Sequence, residues 1–148
     1  MEIQWKVKDF FQLSVEECYQ LLQLRQDVFV LEQECLYPDI DGRDDKAVHV
    51  LGYDGNQLIA YTRFFAHDPH YQTASFGRVI IKESHRHLKL GSVLISKTIE
   101  AMENRLGKVA ITISAQHHLI AFYGRNGFEP IGEPYDEDGI PHIRMVRK

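Results

Sequence analysis

The chain has 148 residues, of which 44% are hydrophobic and 26% are charged, and these proportions are typical of one soluble globular domain. Its formal net charge of −4 argues against nucleic acid as the main partner, and no apolar run approaches the ~20 residues that a membrane helix needs. Cys18 and Cys35 form no C-x-x-C motif, so a reducing, cytoplasmic setting is expected. The charged first ten residues predict a strand rather than a signal peptide.

The first third of the chain predicts a strand, a helix and a loop. Residues 3–7 alternate between apolar and polar side chains, as a half-buried strand does. Ser14, with Glu17 three positions later, forms a capping box, so a helix is expected to begin there. Residues 36–46 are polar and acidic, which indicates a loop. The inner stripe predicted for the helix comprises Val15, Cys18 (as a buried thiol), Leu21, Leu22 and Phe29, with Arg25 intruding on it.

The middle of the chain predicts a hairpin and then a strand of the sheet core. Residues 47–53 and 58–65 flank Asp54-Gly55, which is a strong hairpin signal. After a proline-containing loop, the short and largely β-branched run at residues 78–81 is typical of a buried strand.

The remainder of the chain predicts a helix and further strands. Apolar residues at four-residue spacing over residues 90–106 predict an amphipathic helix, and Gly107 is its C-terminal stop. Residues 109–114, 128–132 and 142–147 are predicted as strands. The whole pattern predicts an α/β (α+β) protein with a mixed, mostly antiparallel sheet of six or seven strands and about four helices.

A basic loop separates the strand at residues 78–81 from the helix that follows. A helix N-terminus offers unpaired N–H groups and the positive end of the helix dipole, so it is suited to binding an anion such as a phosphate. The spacing matches neither the G-x-x-x-x-G-K-[ST] loop nor the dinucleotide G-x-G-x-x-G motif. The basic side chains of this loop are His85, Arg86, His87 and Lys89.

Residues 86–91, Arg-His-Leu-Lys-Leu-Gly, resemble the R/Q-x-x-G-x-G/A loop of the GCN5-related N-acetyltransferases. In that family the backbone amides of the loop hold the pyrophosphate of acetyl-CoA. Lys89 stands where the family's first glycine usually is. If this position needs a positive φ, a lysine carries a steric cost there. In an ordinary conformation the Lys89 ammonium group would instead face the phosphates.

A second motif of the same family follows at a compatible spacing. Residues 116–128 resemble its last helix, which ends in a tyrosine and then Gly-Phe; here the tyrosine is Tyr123. Residues 25–44 and 135–142 further resemble the ElaA-like subgroup. The resemblance covers nearly the whole chain and implies that residues 1–148 form a single N-acetyltransferase domain with the acyl-CoA N-acyltransferase fold.

The resemblance implies an enzyme that moves an acetyl group from the thioester of acetyl-CoA to a primary amine by direct attack. Acetyl-CoA would be the co-substrate without any metal, the acceptor a small-molecule or peptide amine, and the protein a monomer or a homodimer. The backbone of residues 79–81 would pair with the pantetheine arm as an added strand, and one of its amides would face the thioester oxygen. The donor-binding residues expected are Val79, Ile80, Ile81, Arg86, His87, Leu88, Lys89, Leu90, Gly91, Ser92 and Gln116, the last of which is alternatively a helix cap.

The reaction also needs a neutral amine. A lysine-like amine has a pKa near 10.4, so its deprotonation near pH 7 costs about 4–5 kcal/mol and requires a base or a water relay. Acidic loops at residues 32–45 and 133–138 are expected to attract a cationic amine. The candidate bases are Glu137 and His142, then Glu32, with His49 and Glu133 also open.

Tyr123 matches the tyrosine that protonates the leaving thiolate in the family. Because a phenol is a weaker acid than a thiol, a hydrogen bond to the developing sulfur charge is the more economical role. The alternative for Tyr123 is packing beside Phe122 and Phe128.

Two other classes of function, a binding module and a metal protein, fit the sequence less well than the enzyme. A non-catalytic acyl-CoA-binding or sensing module fits Lys89 in the phosphate loop, but it has no use for Tyr123 at the thiol. The eight histidines show no zinc spacing, and the segment from Asp39 lacks the glycine and glutamate of a calcium loop. No functional metal is therefore expected.

Overall fold

One sheet of seven β-strands runs through the protein, whose computed structural model describes residues 2–148. The strands are β1 (Gln4–Asp9), β2 (Val48–Asp54), β3 (Gln57–Asp68), β4 (Thr73–Ile81), β5 (Ile111–Gln116), β6 (Glu129–Glu137) and β7 (Ile140–Arg147). Their order in the sheet is β1-β2-β3-β4-β5-β7-β6. All neighbours are antiparallel except β4 and β5, which run parallel. The predicted mixed, mostly antiparallel sheet is confirmed.

Three α-helices, all within residues 2–148, flank the sheet: α1 (Val15–Arg25), α2 (Gly91–Leu106) and α3 (Ile120–Gly124). A π-helical segment, Gln26–Glu32, prolongs α1. The predicted capping box is confirmed, since Ser14 Oγ accepts from the Glu17 amide at 3.0 Å and Glu17 Oε1 accepts from the Ser14 amide at 2.8 Å. Over the part of the chain that is described, no helix combines the length and apolar character needed to cross a membrane.

Each face of the sheet carries its own hydrophobic core. Val50 belongs to the cluster under α2 and α3, whereas its neighbour Leu51 belongs to the cluster under α1, because successive strand residues point to opposite faces. Strands covered on both faces read as continuous apolar runs, and residues 58–65 of β3 are accordingly all buried.

The inner face of α1 differs from the predicted stripe. Val15 is 87% exposed and Cys18 is only half-buried, so both predictions of burial were wrong; Cys35 is the buried thiol. The first turn of α1 is held instead by Glu17, whose carboxylate pairs with Lys6 and Lys8 of β1 at 2.8–3.0 Å. The apolar face comprises Leu21, Leu24 and, in the π-helical segment, Val28.

A buried arginine anchors the loop of residues 33–47 to α1. Arg25 is fully buried and donates from Nε to Asp39 Oδ2 at 2.9 Å and from Nη1 to Asp44 Oδ1 at 2.7 Å. Its Nη2 donates to the Asp39 carbonyl at 2.7 Å. The arginine that interrupts the apolar stripe of the sequence therefore binds the acidic loop.

Two strand arginines complete this charge network. Arg63 of β3 donates from Nη1 to Oδ1 of both Asp41 and Asp44 at 2.9 Å. Arg78 of β4 lies with Nε 2.8 Å from Asp39 Oδ1, an ion pair without hydrogen-bond geometry, and donates from Nη2 to the Asp39 carbonyl at 3.1 Å. Three guanidinium groups thus neutralise three carboxylates.

We expect Arg25→Leu to lower the free energy of unfolding near pH 7 by about 3–5 kcal/mol, because it removes the fully buried cation that Asp39 and Asp44 share. Burial alone would raise the pKa of Asp44, but Arg25 and Arg63 outweigh it and hold that pKa below 3.8. A lowered folded-state pKa gives stability that is present above the unfolded-state pKa and is lost as the pH falls through the folded-state value.

The difference between wild type and Arg25→Leu, measured by urea denaturation, should therefore shrink as the pH is lowered below about 3.8. A difference that stays constant down to pH values near 2 would contradict this. The control is Arg105→Leu, which breaks an exposed pair with Asp9 and should cost at most about 1 kcal/mol.

Candidate active site

A cleft of about 730 Å³ opens in the sheet where β4 and β5 separate. Of the residues described, only Ala74 and Ser75 of β4 pair with β5. The separation follows a β-bulge opposite Thr62, where the β3–β4 register shifts and Arg78 adopts a left-handed φ of 53°. A bulge bends its strand and interrupts the ladder, so β4 leaves β5 and the gap between them becomes the cleft.

Beyond the bulge, β4 turns backbone groups toward the cleft. The Lys82 amide donates to the Ile59 carbonyl at 2.7 Å, so the alternation of an antiparallel ladder directs the backbone of Ile80 to β3 and that of Val79 and Ile81 to the other side. Val79 and Ile81 line the cleft, whereas Ile80 is buried in the core under α1. Two of the three strand residues predicted to bind the donor therefore present their backbone to the cleft.

The loop between β4 and α2 presents the N-terminus of a helix to the cleft. A 3₁₀ turn, Glu83–Leu88, is followed by Lys89 with φ 55° and ψ 39°, and α2 begins at Gly91, which lines the cleft. The first helical hydrogen bond runs from the Leu94 amide to the Leu90 carbonyl, so the amides of residues 91–93 have no acceptor within the helix and lie at the positive end of its dipole. Of the two conformations considered for Lys89, the left-handed one is present.

The basic side chains of this loop have different partners. Arg86 lines the cleft, donating from Nε to the Ile81 carbonyl at 2.9 Å and from Nη1 and Nη2 to Glu32 at 2.7 and 3.0 Å. His85 is buried, with Nε2 2.9 Å from Asp54 Oδ2 at the β2–β3 turn. His87 and Lys89 are exposed, as is Ser92, whereas Leu88 and Leu90 are half-buried. We call the part of the cleft lined by Ile81, Arg86 and Gly91 the loop end.

The wall opposite β4 comes from β5 and α3. Gln116, Phe122 and Tyr123 line the cleft, and Gln116 makes no capping hydrogen bond to the turn that follows it. A Cβ on Gly91 would lie 3.2 Å from Phe122 Cε1, so this ring leaves little room for a side chain at the start of α2. Tyr123 is 5% exposed, and burial raises its pKa above the usual 10. Its hydroxyl is therefore a neutral hydrogen-bond donor over the physiological range.

The β6–β7 hairpin supplies a histidine and a carboxylate to the cleft, His142 and Glu137. His142 Nδ1 lies 2.7 Å from the Ile140 carbonyl; because a carbonyl only accepts, Nδ1 carries the proton and Nε2 is the nitrogen that can accept one. Nε2 lies 3.2 Å from Glu137 Oε2. We call the part of the cleft lined by Glu137, Asp138 and His142 the hairpin end.

The remaining candidate bases lie elsewhere. Glu32 faces Arg86 at the loop end, and Glu133 is exposed on β6 outside the cleft lining. His49 is completely buried outside the cleft: its Nε2 donates to the Asp44 carbonyl and its Nδ1 accepts from Tyr61 Oη. Burial, followed by the nearby guanidinium groups, lowers the pKa of His49.

The charge of the cleft differs from the one that the sequence indicated. The buried aspartates of residues 33–47 are neutralised by Arg25, Arg63 and Arg78, so the prediction that these aspartates attract a cationic amine was wrong. Glu137 and Asp138 line the hairpin end and, within residues 2–148, pair with no arginine or lysine. The attraction expected for residues 133–138 therefore retains a physical basis.

Several cleft residues were missed from the sequence. Arg78 carries the bulge, Tyr37 lines the cleft and donates to Asp39 Oδ1 at 3.0 Å, and Cys35 Sγ lies 3.3 Å from the Asp138 carbonyl. No local sequence signal connects residues 35 and 138. In the described part of the chain, no three His, Cys, Asp or Glu side chains are arranged to hold a metal ion.

Comparison with known proteins gives consistent results. A family model described as "Acetyltransferase (GNAT) domain" matches residues 15–148. The protein ElaA of Escherichia coli (strain K12) is 43% identical over 148 residues, which cover 99% of this chain and 97% of that protein. The crystal structure of E. coli ElaA superposes with a TM-score of 0.93 at 42% identity, covering 99% of this chain and 100% of that one. The crystal structure of an acyl-CoA N-acyltransferase from Pseudomonas aeruginosa superposes with a TM-score of 0.91 at 38% identity, covering the same shares.

The left-handed backbone at Lys89 predicts a difference between two substitutions. Lys89→Ala removes the ammonium group and keeps the Cβ atom that is crowded at φ 55°, whereas Lys89→Gly removes both. We expect Lys89→Gly to be more stable than Lys89→Ala by about 1 kcal/mol in urea denaturation. Equal stabilities would show that the loop relaxes to another conformation when the side chain is shortened.

Proposed function

Because this chain belongs to the GCN5-related N-acetyltransferase family, in its ElaA-like subgroup, we propose that it transfers an acetyl group from acetyl-CoA to a primary amine by direct attack. The family and the fold support acyl-CoA-dependent acyl transfer. The observation that carries the finer proposal is the cleft, whose lining combines the open edge of β4, the start of α2 and the Glu137–His142 pair. One groove can thus hold a thioester donor and bring an amine to it.

In this proposal the donor lies along β4. The backbone groups of Val79 and Ile81 bind the pantetheine arm as an added strand, with Gln116 on the opposite wall, and an amide of this strand faces the thioester oxygen as the charge develops on it. The diphosphate lies at the N-terminus of α2. Phosphate binding is assigned to residues 86–92, chiefly through backbone amides, with Arg86 and Lys89 as the cations.

His142 is the proposed base, with Glu137 as its partner. Its Nε2 is the proton-accepting nitrogen, and the imidazolium formed there would lie 3.2 Å from the Glu137 carboxylate. Deprotonation of the acceptor amine near pH 7 costs about 4–5 kcal/mol, and a base at the hairpin end, which accepts that proton, offsets this cost. Tyr123, kept neutral by its raised pKa, donates a hydrogen bond to the developing thiolate.

A non-catalytic binding module is the competing function. Such a module would need the strand edge and the phosphate loop, but not a buried tyrosine in the same groove. Tyr123 lines the same cleft as Val79 and Ile81, which favours the enzyme.

The first experiment is a calorimetric titration with acetyl-CoA and, in parallel, with S-acetylpantetheine, which lacks the phosphates. We expect dissociation constants on the order of micromolar for acetyl-CoA and at least about tenfold weaker binding of S-acetylpantetheine, since charged hydrogen bonds to the phosphates are lost. Absence of acetyl-CoA binding would overturn the proposed function. Equal affinities for acetyl-CoA and S-acetylpantetheine would mean that residues 86–92 do not bind the phosphates.

Once an amine acceptor is found by screening, pH–rate profiles separate the catalytic roles. We expect His142→Gln to lower kcat/KM by about 10²–10⁴-fold and to remove the acidic limb of the profile. Tyr123→Phe should lower kcat and leave the dissociation constant of acetyl-CoA unchanged. The matched controls are His118→Gln and Tyr19→Phe, which make the same two changes at exposed side chains.

If His142→Gln keeps the limb and Glu137→Gln loses it, the base is Glu137. If neither substitution alters the profile, proton transfer passes through water. An unchanged kcat in Tyr123→Phe would return Tyr123 to a packing role beside Phe122 and Phe128.

A further inference from the structure

One ion pair lies at the loop end of the cleft, where Arg86 belongs to the lining. Arg86, in the turn before α2, reaches Glu32, the last residue of the π-helical segment, and both carboxylate oxygens accept, at 2.7 and 3.0 Å. The third nitrogen of the same guanidinium, Nε, donates to the Ile81 carbonyl at 2.9 Å. Every nitrogen of Arg86 is therefore engaged, and its charge is balanced by a carboxylate.

The partners of Arg86 coincide with those that the donor requires. The Ile81 carbonyl is one of the backbone groups that β4 turns toward the cleft, where an amide of the pantetheine arm would donate. Arg86 belongs to the turn that precedes α2. A diphosphate bound at the N-terminus of α2 would therefore accept hydrogen bonds from the same guanidinium that Glu32 now binds. The donor and Glu32 thus compete for the side chain of Arg86.

The competition is weighted toward the phosphates. The side chains of Arg86 and Glu32 are 41% and 35% exposed, and an exposed pair of this kind contributes little to stability. A diphosphate carries more charge than one carboxylate and is also bound by the amides of α2. Replacing Glu32 by the diphosphate as the partner of Arg86 therefore costs little free energy. Donor binding is nevertheless weakened by that cost, which is the free energy of the Arg86–Glu32 ion pair.

We propose that Glu32 is a positioning residue for the donor, which lowers the affinity for acyl-CoA by holding Arg86 away from the diphosphate and takes no part in proton transfer. This inference rests on the proposed function. It assigns Glu32, a candidate base from the sequence, to the pairing with Arg86, whereas Glu137 and His142 belong to the β6–β7 hairpin. The ligand concerned is the diphosphate of an acyl-CoA or of coenzyme A itself.

The test is a double-mutant cycle on Glu32→Gln and Arg86→Gln, read by calorimetric titration with acetyl-CoA and with coenzyme A. Glu32→Gln keeps the shape of the side chain and removes its charge, so we expect about two- to fivefold tighter binding, the worth of an exposed ion pair. Arg86→Gln should bind at least about tenfold more weakly. In the double variant, the Glu32 substitution should have no further effect, because it acts through Arg86.

The matched control is Glu83→Gln, which removes the same charge from the turn that carries Arg86. Within residues 2–148, Glu83 forms no ion pair, so its substitution reports the general effect of one negative charge near the phosphates. The gain from Glu32→Gln must exceed that of Glu83→Gln. Thermal unfolding of each variant confirms that it is folded.

Three results would overturn the inference. Weaker binding by Glu32→Gln would mean that Glu32 prepares Arg86 for the phosphates rather than competing with them. A gain that persists in the Arg86→Gln background would mean that Arg86 is not the intermediary. A loss of kcat of a hundredfold or more at unchanged affinity would make Glu32 the base. Failure of the wild type to bind acetyl-CoA is a separate outcome, which removes the proposed function itself.

Discussion

The pairing of three arginines with three aspartates, four of the six side chains being buried, is the constraint on which the rest of the structure depends. Arg25 comes from α1, Arg63 from β3 and Arg78 from β4, yet all three bind the loop of residues 33–47. Because an unpaired buried charge is costly, neither the helix, nor the strands, nor the loop reaches its final position without the others. The same network holds the side chain of Arg78 while its backbone takes a left-handed conformation, and that bulge is where β4 leaves β5.

The arginine–aspartate network also determines the charge of the cleft. Since Arg25, Arg63 and Arg78 neutralise Asp39, Asp41 and Asp44, these carboxylates give the groove little net charge. The loop end offers the amides of α2 and Arg86, which is paired with Glu32, whereas the hairpin end offers Glu137 and Asp138, which pair with no arginine or lysine among residues 2–148. Anion-binding groups in one part of the groove and carboxylates in another favour a ligand that carries phosphates and meets an amine.

Features encoded over a few residues could be predicted from the sequence. The capping box at Ser14, the turn at Gly55, the strand alternation and the two family motifs each lie within about a dozen residues. Contacts across long separations could not: Arg25 interrupted an apolar stripe, and nothing local indicated Asp39 and Asp44 as its partners. Glu32 resembled a base because the sequence shows its charge but not its pairing with Arg86, which is 54 positions away. At the bulge, Gly77 precedes Arg78, but the left-handed φ is at the arginine, which no sequence signal indicated.

The short junction between β4 and β5 has a consequence for motion. Strands β1 to β4 form one continuous antiparallel half of the sheet and β5, β7 and β6 form the other, and two residue pairs join them. Changing the angle between the halves therefore disturbs few backbone hydrogen bonds, while α2 and its apolar contacts span the seam beneath. We expect slow hydrogen exchange in the interiors of the halves and faster exchange at the amides of Val79 and Ile81 along the seam. A change of the angle between the halves would widen the groove and admit a long, flexible ligand without unfolding either half.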